Sequence, residues 1–246
     1  QIYRWDMGTV IPGTEKIVPG PGVQLSGLNL EYSKLEFADL TGANLKGTTL
    51  TAALLGSATL TGADLSGVHW ASASIWGTTH HGLTKQQFYA TASYQERALY
   101  GMQLGGNDFS GWDFSNQALD GAKLPFSTFA GTKFDNASVR NAQLNSTTAG
   151  GFSKEQLYST ASYKQRDLSG IVLDDNNLAG WNFSQQNLTG AAFRRANLQG
   201  TIWTGANIAG VDFVGSTGLA KEQFYGTKNY QQHDLGGIGL EGLDLS

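Results

Sequence analysis

The sequence predicts an all-β solenoid in which each group of five residues forms one face of a square coil. Three observations predict it: a large apolar residue at every fifth position, a small residue two positions earlier, and a composition rich in glycine and poor in charge. A period of five fits neither an amphipathic helix, with a period of about 3.6, nor a simple strand, with a period of two. It fits a chain that turns a corner every five residues.

The five-residue spacing of apolar side chains covers most of the chain. It is kept in four trains: Leu25 to Ile75, Leu99 to Leu144, Leu168 to Phe213, and Leu235 to Leu245. The trains hold eleven, ten, ten and three units, thirty-four in all. At four units per coil and roughly 4.8 Å between stacked strands, about 8.5 coils make a rod of about 41 Å. We expect one β-helix domain at 25–246, preceded by an irregular N-terminal segment at 1–24.

The small residues explain how the coil is filled. Because four faces meet around a narrow axis, only one large residue per face can be packed to interior density. Glycine and Asn or Asp supply tight turns at the corners, as in LTGANL and LTGADL. Alanine stands two positions before twelve of the apolar residues: Ala38, Ala43, Ala53, Ala58, Ala63, Ala73, Ala122, Ala137, Ala142, Ala191, Ala196 and Ala206.

Units such as ADLTG, ANLKG and ADLSG resemble those of the pentapeptide-repeat family. This resemblance implies a right-handed quadrilateral β-helix. The opening RWDMGTVIPGTEKIVPGPGVQL, the KEQLYSTASY segment and the units SGWDF and AGWNF are similar to exported pentapeptide-repeat proteins of planctomycete bacteria. That similarity implies an extracellular or cell-surface protein that is not an enzyme, and it implies no particular activity.

Three similar eighteen-residue inserts interrupt the trains. They are GLTKQQFYATASYQERAL at 82–99, GFSKEQLYSTASYKQRDL at 151–168 and GLAKEQFYGTKNYQQHDL at 218–235. Their spacing of 69 and 67 residues divides the rod into modules, which we place at 25–81, 82–150, 151–217 and 218–246.

Each insert is predicted to form one short helix of about two turns beside the rod. Thr84 and Ser153 each stand three residues before a Gln, which is the capping-box arrangement that starts a helix. Ala220 takes the cap position in the third copy, so that helix should start less firmly.

Six of the nine tyrosines lie in the inserts, and two interpretations of them stay open. They could seal the gap where the coil breaks, with hydroxyls reaching water or backbone. They could instead form a surface that contacts a protein or a polysaccharide. The six are Tyr89, Tyr94, Tyr158, Tyr163, Tyr225 and Tyr230.

Composition and motifs argue against several classes of function. The formal charge of −4 comes from 20 acidic and 16 basic residues that are not gathered into blocks, so no nucleic-acid patch is predicted. The chain has no cysteine, and no apolar run is long enough to span a bilayer. GIGLEG at 237–242 matches the dinucleotide-binding pattern G-x-G-x-x-G but lies inside a train rather than between a strand and a helix, so nucleotide binding is not predicted. His80 and His81 are adjacent, and neighbours in an extended segment point in opposite directions, which argues against a zinc site. We predict no catalytic residue, no cofactor and no metal site.

The two ends of the rod suggest self-association. A β-helix exposes unpaired backbone groups and a slice of its core at each end. The complete modules continue with GWDF or GWNF, whereas the last train stops at GLEGLDLS, and the chain opens with QIYRWD. We therefore expect head-to-tail assembly, which does not close and gives filaments. The expected interface residues are Ile2, Tyr3, Trp5 and Asp6 at one end, with Leu240 and Leu245 at the other.

Other interpretations stay open beside this one. The chain could be a monomeric extracellular binding module for a protein or a polysaccharide, or a fragment of a longer protein. Gln1 stands where Met would begin a chain, after either a removed export signal or trimming. A DNA mimic that inhibits topoisomerases fits less well, because about 41 Å of duplex carries roughly 24 negative charges. Here 20 acidic residues are offset by 16 basic ones.

Overall fold

The structure, a computed structural model, describes residues 1–243, and these form a coil with four faces per turn. Isolated parallel β-bridges join residues twenty positions apart, as in the stack of Gln24, Asn44 and Asp64. Twenty residues are four units of five, so one turn of the coil holds four faces. The position before each central apolar residue carries the bridge, and the square coil inferred from the period is confirmed.

The central apolar residues form a continuous core along the axis. All those of the first three trains are buried, from Leu25 at 0% exposed to Phe213 at 1%. Eleven of the twelve alanines are buried beside them, and Ala38 is half-buried. The fourth train differs: Leu235 is 39% exposed and Leu240 is half-buried. Leu245 lies outside the described residues.

The corners are β-turns closed by one backbone hydrogen bond. The N–H three residues after a central residue donates to that residue's carbonyl, as from Leu28 to Leu25 at 3.2 Å. The third turn residue has a positive φ, 67° at Gly27, which is the conformation that glycine adopts without strain. Some corners carry bulky residues in this conformation, including Phe37 and Phe126 with φ of 60° and 58°.

The all-β part of the predicted fold class is not confirmed. Within residues 1–243 the ladder consists of isolated bridges, and each insert forms two short helices instead of one helix of two turns. The α-helices are α1 Lys85–Tyr89, α2 Ala92–Gln95, α3 Lys154–Ser159, α4 Ala161–Lys164, α5 Lys221–Tyr225 and α6 Lys228–Gln231. Short 3₁₀ turns lie at Thr78–His81 and Thr148–Gly150.

A second N-cap explains why each insert contains two helices. The hydroxyls of Thr91, Thr160 and Thr227 accept hydrogen bonds from backbone N–H groups of the following helix, so a new helix starts there. The predicted capping boxes at Thr84 and Ser153 are present. Ala220 has no side-chain acceptor, although its N–H still donates to Gln223 at 2.6 Å.

The inserts replace faces of the coil, which corrects the expectation that they lie beside it. The ladder resumes across the first insert with a bridge between Ser74 and Gln103. These residues are 29 positions apart, which is one coil of twenty residues plus nine inserted residues. Within that insert Phe88 is 0% exposed and occupies the core. The amide of Gln87 donates to the carbonyls of Leu60 and Ala63 at 2.7 and 2.9 Å, which attaches α1 to the preceding coil.

The N-terminal segment covers the first coil. Ile2 and Ile11 are 1% and 5% exposed and join the apolar core. Arg4 forms an antiparallel bridge with Ser33, and the N–H of Lys34 donates to Tyr3 at 2.8 Å. Segment 1–11 therefore gives Ser33 and Lys34 the backbone partners that a preceding coil would otherwise provide.

Candidate binding site

The first insert contains two tyrosines whose hydroxyl groups both form hydrogen bonds with the backbone of one residue. The rings of Tyr89 and Tyr94 stack with centroids 4.4 Å apart. The Tyr94 hydroxyl donates to the carbonyl of Asp113 at 2.7 Å, and the Tyr89 hydroxyl accepts from the N–H of Asp113. We call this arrangement the first tyrosine clamp.

The second insert repeats the arrangement with the same sequence separations. Tyr158 and Tyr163 stack at 4.3 Å. The Tyr163 hydroxyl donates to the carbonyl of Asn182 at 2.8 Å, and the Tyr158 hydroxyl accepts from its N–H. This is the second tyrosine clamp, and its recurrence shows that the insert sequence encodes the clamp.

The clamps substitute for a missing strand. In an uninterrupted coil, the bridge residue Lys123 donates its N–H to Met102 at 2.8 Å and accepts at its carbonyl from Leu104 at 2.7 Å. Below Asp113 the coil is helical, so those two backbone partners are absent and two phenol hydroxyls take their place. Since a buried peptide group without partners costs about 1–3 kcal/mol, each clamp removes a penalty that the insert creates.

Each clamped residue comes directly after a tryptophan that fills the space beside the first helix of the insert. Trp112 is 6% exposed, with its ring 5.3 Å from Phe88 and 6.0 Å from Tyr89. Trp181 is 5% exposed and lies 6.5 Å from Tyr158. The clamp therefore holds a dipeptide, with a Trp side chain in the pocket and the next peptide unit between the hydroxyls.

The environment keeps the donating hydroxyls protonated. Burial, followed by the neighbouring tyrosine, raises the pKa of Tyr94 to about 12, and it does the same for Tyr163. Burial also raises the pKa of Tyr89 and Tyr158. Because Tyr94 and Tyr163 donate to carbonyls, the protonated form is the one that the clamp needs.

The third pair has the same residues and a different environment. Tyr225 and Tyr230 have ring centroids 4.8 Å apart and are 45% and 40% exposed. Within residues 1–243 their hydroxyls have no hydrogen-bond partner. A cavity of about 170 Å³ lies beside them, and its lining is Lys221, Phe224, Tyr225, Tyr230, Leu235 and Leu240.

The expected N-terminal interface residues are partly engaged within their own chain. Ile2 is 1% exposed in the core, and the hydroxyl of Tyr3, a residue 45% exposed, donates to Gln1 at 2.6 Å. Trp5 is 47% exposed; its Nε1 donates to Ala52 at 2.8 Å. Asp6 pairs with Arg4 at 2.7 Å. Leu240 lines the cavity at the other end, so the two sets are not brought together within one chain.

Sequence reasoning missed the clamps, although the signal was present. In both complete modules the two tyrosines precede the Asp or Asn of the Trp dipeptide by 24 and 19 residues. A contact between an insert and a later train requires such a fixed separation, and the repeat preserves it.

One corner of the rod carries exposed aromatic side chains that the sequence analysis also missed. Phe37, Trp76 and Phe126 are 79%, 39% and 62% exposed, and the Trp76 and Phe126 rings lie 6.4 Å apart. Trp76 lies across Gly105, where an added Cβ would come within 2.3 Å of the indole ring. The signal was a phenylalanine at the turn position that glycine usually occupies.

Several arginines on the surface pair with aspartates. Arg140 lies 3.0 Å from Asp120, and Arg195 lies 2.7 Å from Asp175. Throughout residues 1–243 no group of three or more His, Cys, Asp or Glu side chains could hold a metal ion. In the same range no helix has the length and apolar character needed to cross a membrane.

Comparison with known proteins supports the pentapeptide-repeat family. The model of this family, described as pentapeptide repeats, matches residues 22–56, 167–202 and 187–217, with eight copies. That match implies a right-handed quadrilateral β-helix and indicates no catalytic family. No curated protein matches the chain.

Solved pentapeptide-repeat structures are among those similar to this chain. HetL, involved in heterocyst differentiation regulation in the cyanobacterium Nostoc sp. strain PCC 7120, is 18% identical over 90% of this chain and 86% of its own, with a TM-score of 0.27. Full-length QnrB1, a plasmid-mediated fluoroquinolone resistance protein, is 16% identical over 87% and 96%, with a TM-score of 0.26. A pentapeptide repeat protein of the Arabidopsis thaliana thylakoid lumen is 29% identical over 47% and 63%, with a TM-score of 0.14.

Proposed function

We propose that this chain is a non-catalytic repeat protein that associates head to tail, with the N-terminal segment of one subunit covering the C-terminal coil of the next. The observation that carries the proposal is the third tyrosine pair. Tyr225 and Tyr230 have the sequence and spacing of two pairs that hold an extended backbone, yet they are 45% and 40% exposed. A surface built to pair with backbone favours addition of a strand.

The difference between the two ends supports a directional contact. At one end the core is covered by Ile2 and Ile11. At the other, Leu235 is 39% exposed beside the apolar cavity. Two unlike surfaces make a heterologous contact, and such a contact leads to open filaments unless its rotation closes a ring. An extracellular or cell-surface location, and the likeness to planctomycete exported proteins, stay predictions from the sequence resemblance.

Sedimentation velocity at several concentrations tests the proposal, with electron microscopy of the most concentrated sample. We expect the weight-average mass to rise with concentration and short filaments to be visible. Trp5→Ala and Leu240→Asp, one at each end, should both reduce association. Phe126→Ala removes an exposed aromatic in the middle of the rod, between the two end surfaces, and should leave association unchanged. A single-chain mass at every concentration would refute the proposal.

Deletion of residues 1–8 would be a poor test of association. Ile2 is buried in the core, so its loss would uncover apolar side chains and lower the free energy of unfolding. Loss of association after such a deletion could therefore result from misfolding. Point substitutions at Trp5 and Leu240, neither of which is fully buried, disturb the core less.

A monomeric binding module is the second candidate, and the aromatic corner favours it. Phe37 and Phe126 are exposed, and both hold a backbone conformation that costs a non-glycine residue about 1–2 kcal/mol. Exposed aromatic side chains aligned along one corner favour a binding role. Affinity electrophoresis in gels containing polysaccharides tests this candidate. The double variant Phe37→Ser with Phe126→Gly should no longer be retarded by the polysaccharide. Retardation equal to that of the wild type would exclude the aromatic corner as the binding surface.

A DNA mimic is the least supported candidate. Arginines on the rod pair with its aspartates, as Arg194 does with Asp212 at 2.5 Å, and this interrupts any continuous negative surface. A gyrase supercoiling assay decides the matter, and we expect no inhibition at micromolar protein.

A further inference from the structure

We infer that one face of the coil binds a linear acidic polysaccharide whose chain lies parallel to the axis of the rod. This inference rests on the second candidate function, the monomeric binding module, and names its ligand and its surface. Three features of the same face carry it: exposed aromatic side chains along its edges, a row of polar side chains between them, and positive charge without an acidic partner. We call this surface the aromatic face.

The floor of the aromatic face is a row of outward-facing bridge positions. Parallel β-bridges join each member of the row to the next, one coil further along the rod. Coils are roughly 4.8 Å apart, which is close to the length of one pyranose unit in an extended polysaccharide. Successive units of such a polymer would therefore meet successive members of the row. The row is Lys34, Leu54, Ser74, Gln103, Lys123 and Gln143.

Exposed aromatic residues border this row. Before the third insert, six large aromatic side chains are exposed, and all six lie at an edge or at the N-terminal end of this one face. Exposed apolar side chains on a monomer are normally scattered singly, so their concentration on one face indicates an interaction surface. They are Phe37, Trp76 and Phe126 at the corner after the row, Tyr100 at the corner before it, and Tyr3 and Trp5 beside Lys34.

A cavity of about 440 Å³ lies at the N-terminal end of the row. Trp5 lines it, and the backbone N–H of Trp5 donates to Tyr32 at 2.9 Å while its Nε1 donates to Ala52 at 2.8 Å. These hydrogen bonds hold the indole at the edge of the row, so the cavity has a preformed aromatic wall. Lys34 and Glu36 line the same cavity. An aromatic wall with a few polar groups is a surface on which a pyranose ring can stack and bond its hydroxyls.

The aromatic corner offers two stacking positions. Phe37 and Phe126 lie at the same corner four coils apart, which is about 19 Å. Trp76 lies between them, and its ring is 6.4 Å from that of Phe126, so these two rings form one apolar patch. A ligand that contacts both positions must therefore be a polymer of at least about four units. The other corner positions between them hold small residues that leave the rings prominent: Gly56, Ser57, Gly77, Gly105 and Gly106.

The polar side chains of the row are available to a ligand. Within residues 1–243 the side chains of Gln103, Lys123 and Gln143 form no hydrogen bond with the protein. The adjoining face differs, because there the Thr128 hydroxyl donates to the Asp108 carboxylate at 2.5 Å. An amide side chain both donates and accepts hydrogen bonds, which is what the hydroxyls of a sugar require.

The charge of the row favours an acidic polysaccharide. Lys34 and Lys123 are exposed, and the row contains no Asp or Glu, although the whole chain has a formal charge of −4. Among the described residues neither lysine forms an ion pair. Glu36 offsets the charge of Lys34 at the cavity, so the excess lies at Lys123, three positions before Phe126. Complementary charge selects a ligand that carries carboxylates, such as a chain of uronic acid units.

Calorimetry with defined oligosaccharides tests the inference, at a protein concentration below self-association. The probes are a hexasaccharide of β-1,4-linked mannuronate, the corresponding disaccharide, and cellohexaose, which has the same linkage and no carboxylates. We expect the mannuronate hexasaccharide to bind. The disaccharide cannot span the two stacking positions and should bind at least about tenfold more weakly. Cellohexaose lacks the charge contact and should bind about threefold more weakly.

Variants of the protein locate the binding. Phe126→Gly should weaken the hexasaccharide about tenfold, because it removes a stacking ring. Glycine adopts the φ of 58° at this position without strain, so the variant should fold as the wild type does, and thermal melting verifies this. Lys123→Gln should weaken the mannuronate about threefold and leave cellohexaose unchanged. Lys133→Gln is the matched control: it removes an exposed lysine from a bridge position of a different face and should leave both affinities unchanged.

The outcomes distinguish this inference from the functions proposed above. Absence of binding by both hexasaccharides would overturn it, whether or not the chain associates head to tail. Equal affinity of the wild type and Phe126→Gly would exclude the aromatic face and leave a binding module that uses another surface. Equal affinity for the two hexasaccharides would exclude the acidic class. Cosedimentation with anionic lipid vesicles that is lost in Phe126→Gly, without sugar binding, would assign the face to a membrane surface and overturn the inference.

Discussion

The two filled tyrosine clamps and the third tyrosine pair are built from nearly the same insert sequence but differ in exposure. In the first two inserts the tyrosines are half-buried and bond to Asp113 and Asn182. In the third they are 45% and 40% exposed. The difference lies in the segment after each insert: a train that supplies a Trp dipeptide covers the first two. The insert sequence forms the tyrosine pair, and the train that follows determines whether the pair is buried.

The largest expected difference between these regions is in the core under the clamp. Phe88→Ala removes a side chain that is 0% exposed and touches Trp70, Trp112 and Phe114, so we expect a loss of about 3–5 kcal/mol in the free energy of unfolding. Phe224→Ala, at 7% exposed beside an open cavity, should cost clearly less. Urea denaturation of the two variants measures this. Equal losses would mean that the third insert is as well packed as the first.

A smaller effect is expected from removing one clamp hydroxyl. Tyr94→Phe leaves the Asp113 carbonyl without its partner, which should cost about 1–3 kcal/mol. The matched Tyr230→Phe should change stability by less than about 0.5 kcal/mol, as expected for a surface substitution. Denaturation midpoints of both variants in dilute solution are the measurement. A large loss for Tyr230→Phe would indicate that its hydroxyl already has a partner.

Substitutions at the helix caps of the second and third inserts should change the free energy of unfolding by about the same amount or less. Ser153→Ala removes a capping-box acceptor and should cost about 1 kcal/mol, whereas Ala220→Ser should gain a few tenths to about 1 kcal/mol by restoring one. Hydrogen exchange of the N–H groups at the start of α3 and α5 reports the change locally. Unchanged protection in Ala220→Ser would show that the Gln223 contact alone suffices to start α5.

A further effect is expected on the pH dependence of stability. The folded-state pKa of Tyr94 and Tyr163 is about 12, above the ordinary value of 10.0. Between these values the unfolded chain has lost a proton that the folded chain keeps. The contribution to stability is therefore complete below about pH 10 and decreases as the pH rises toward 12. Tyr94→Phe with Tyr163→Phe should flatten the decrease in melting temperature over this range, and an unchanged slope would contradict the assignment.

Much of this architecture could be predicted from the chain because it repeats. A strict period of five specifies which side chains face inward, and the capping boxes at Thr84 and Ser153 start helices where expected. The two-helix form of each insert was not predicted, although Thr91 is a standard N-cap residue, because a single helix of about two turns can also begin at the capping boxes. The position of Phe88 in the core was not predicted either, since the sequence of an insert does not show which coil it packs against.

By itself, the sequence determined the square coil, its central core and the recurrence of the inserts, since each is a consequence of periodicity and local turn chemistry. Only the tertiary structure decided what the inserts do. The Tyr94 and Asp113 contact joins residues 19 apart through the stacking of coils, and such a contact depends on three-dimensional register rather than on local propensity. The same register places the third tyrosine pair beside an apolar cavity, where Tyr225 and Tyr230 are 45% and 40% exposed.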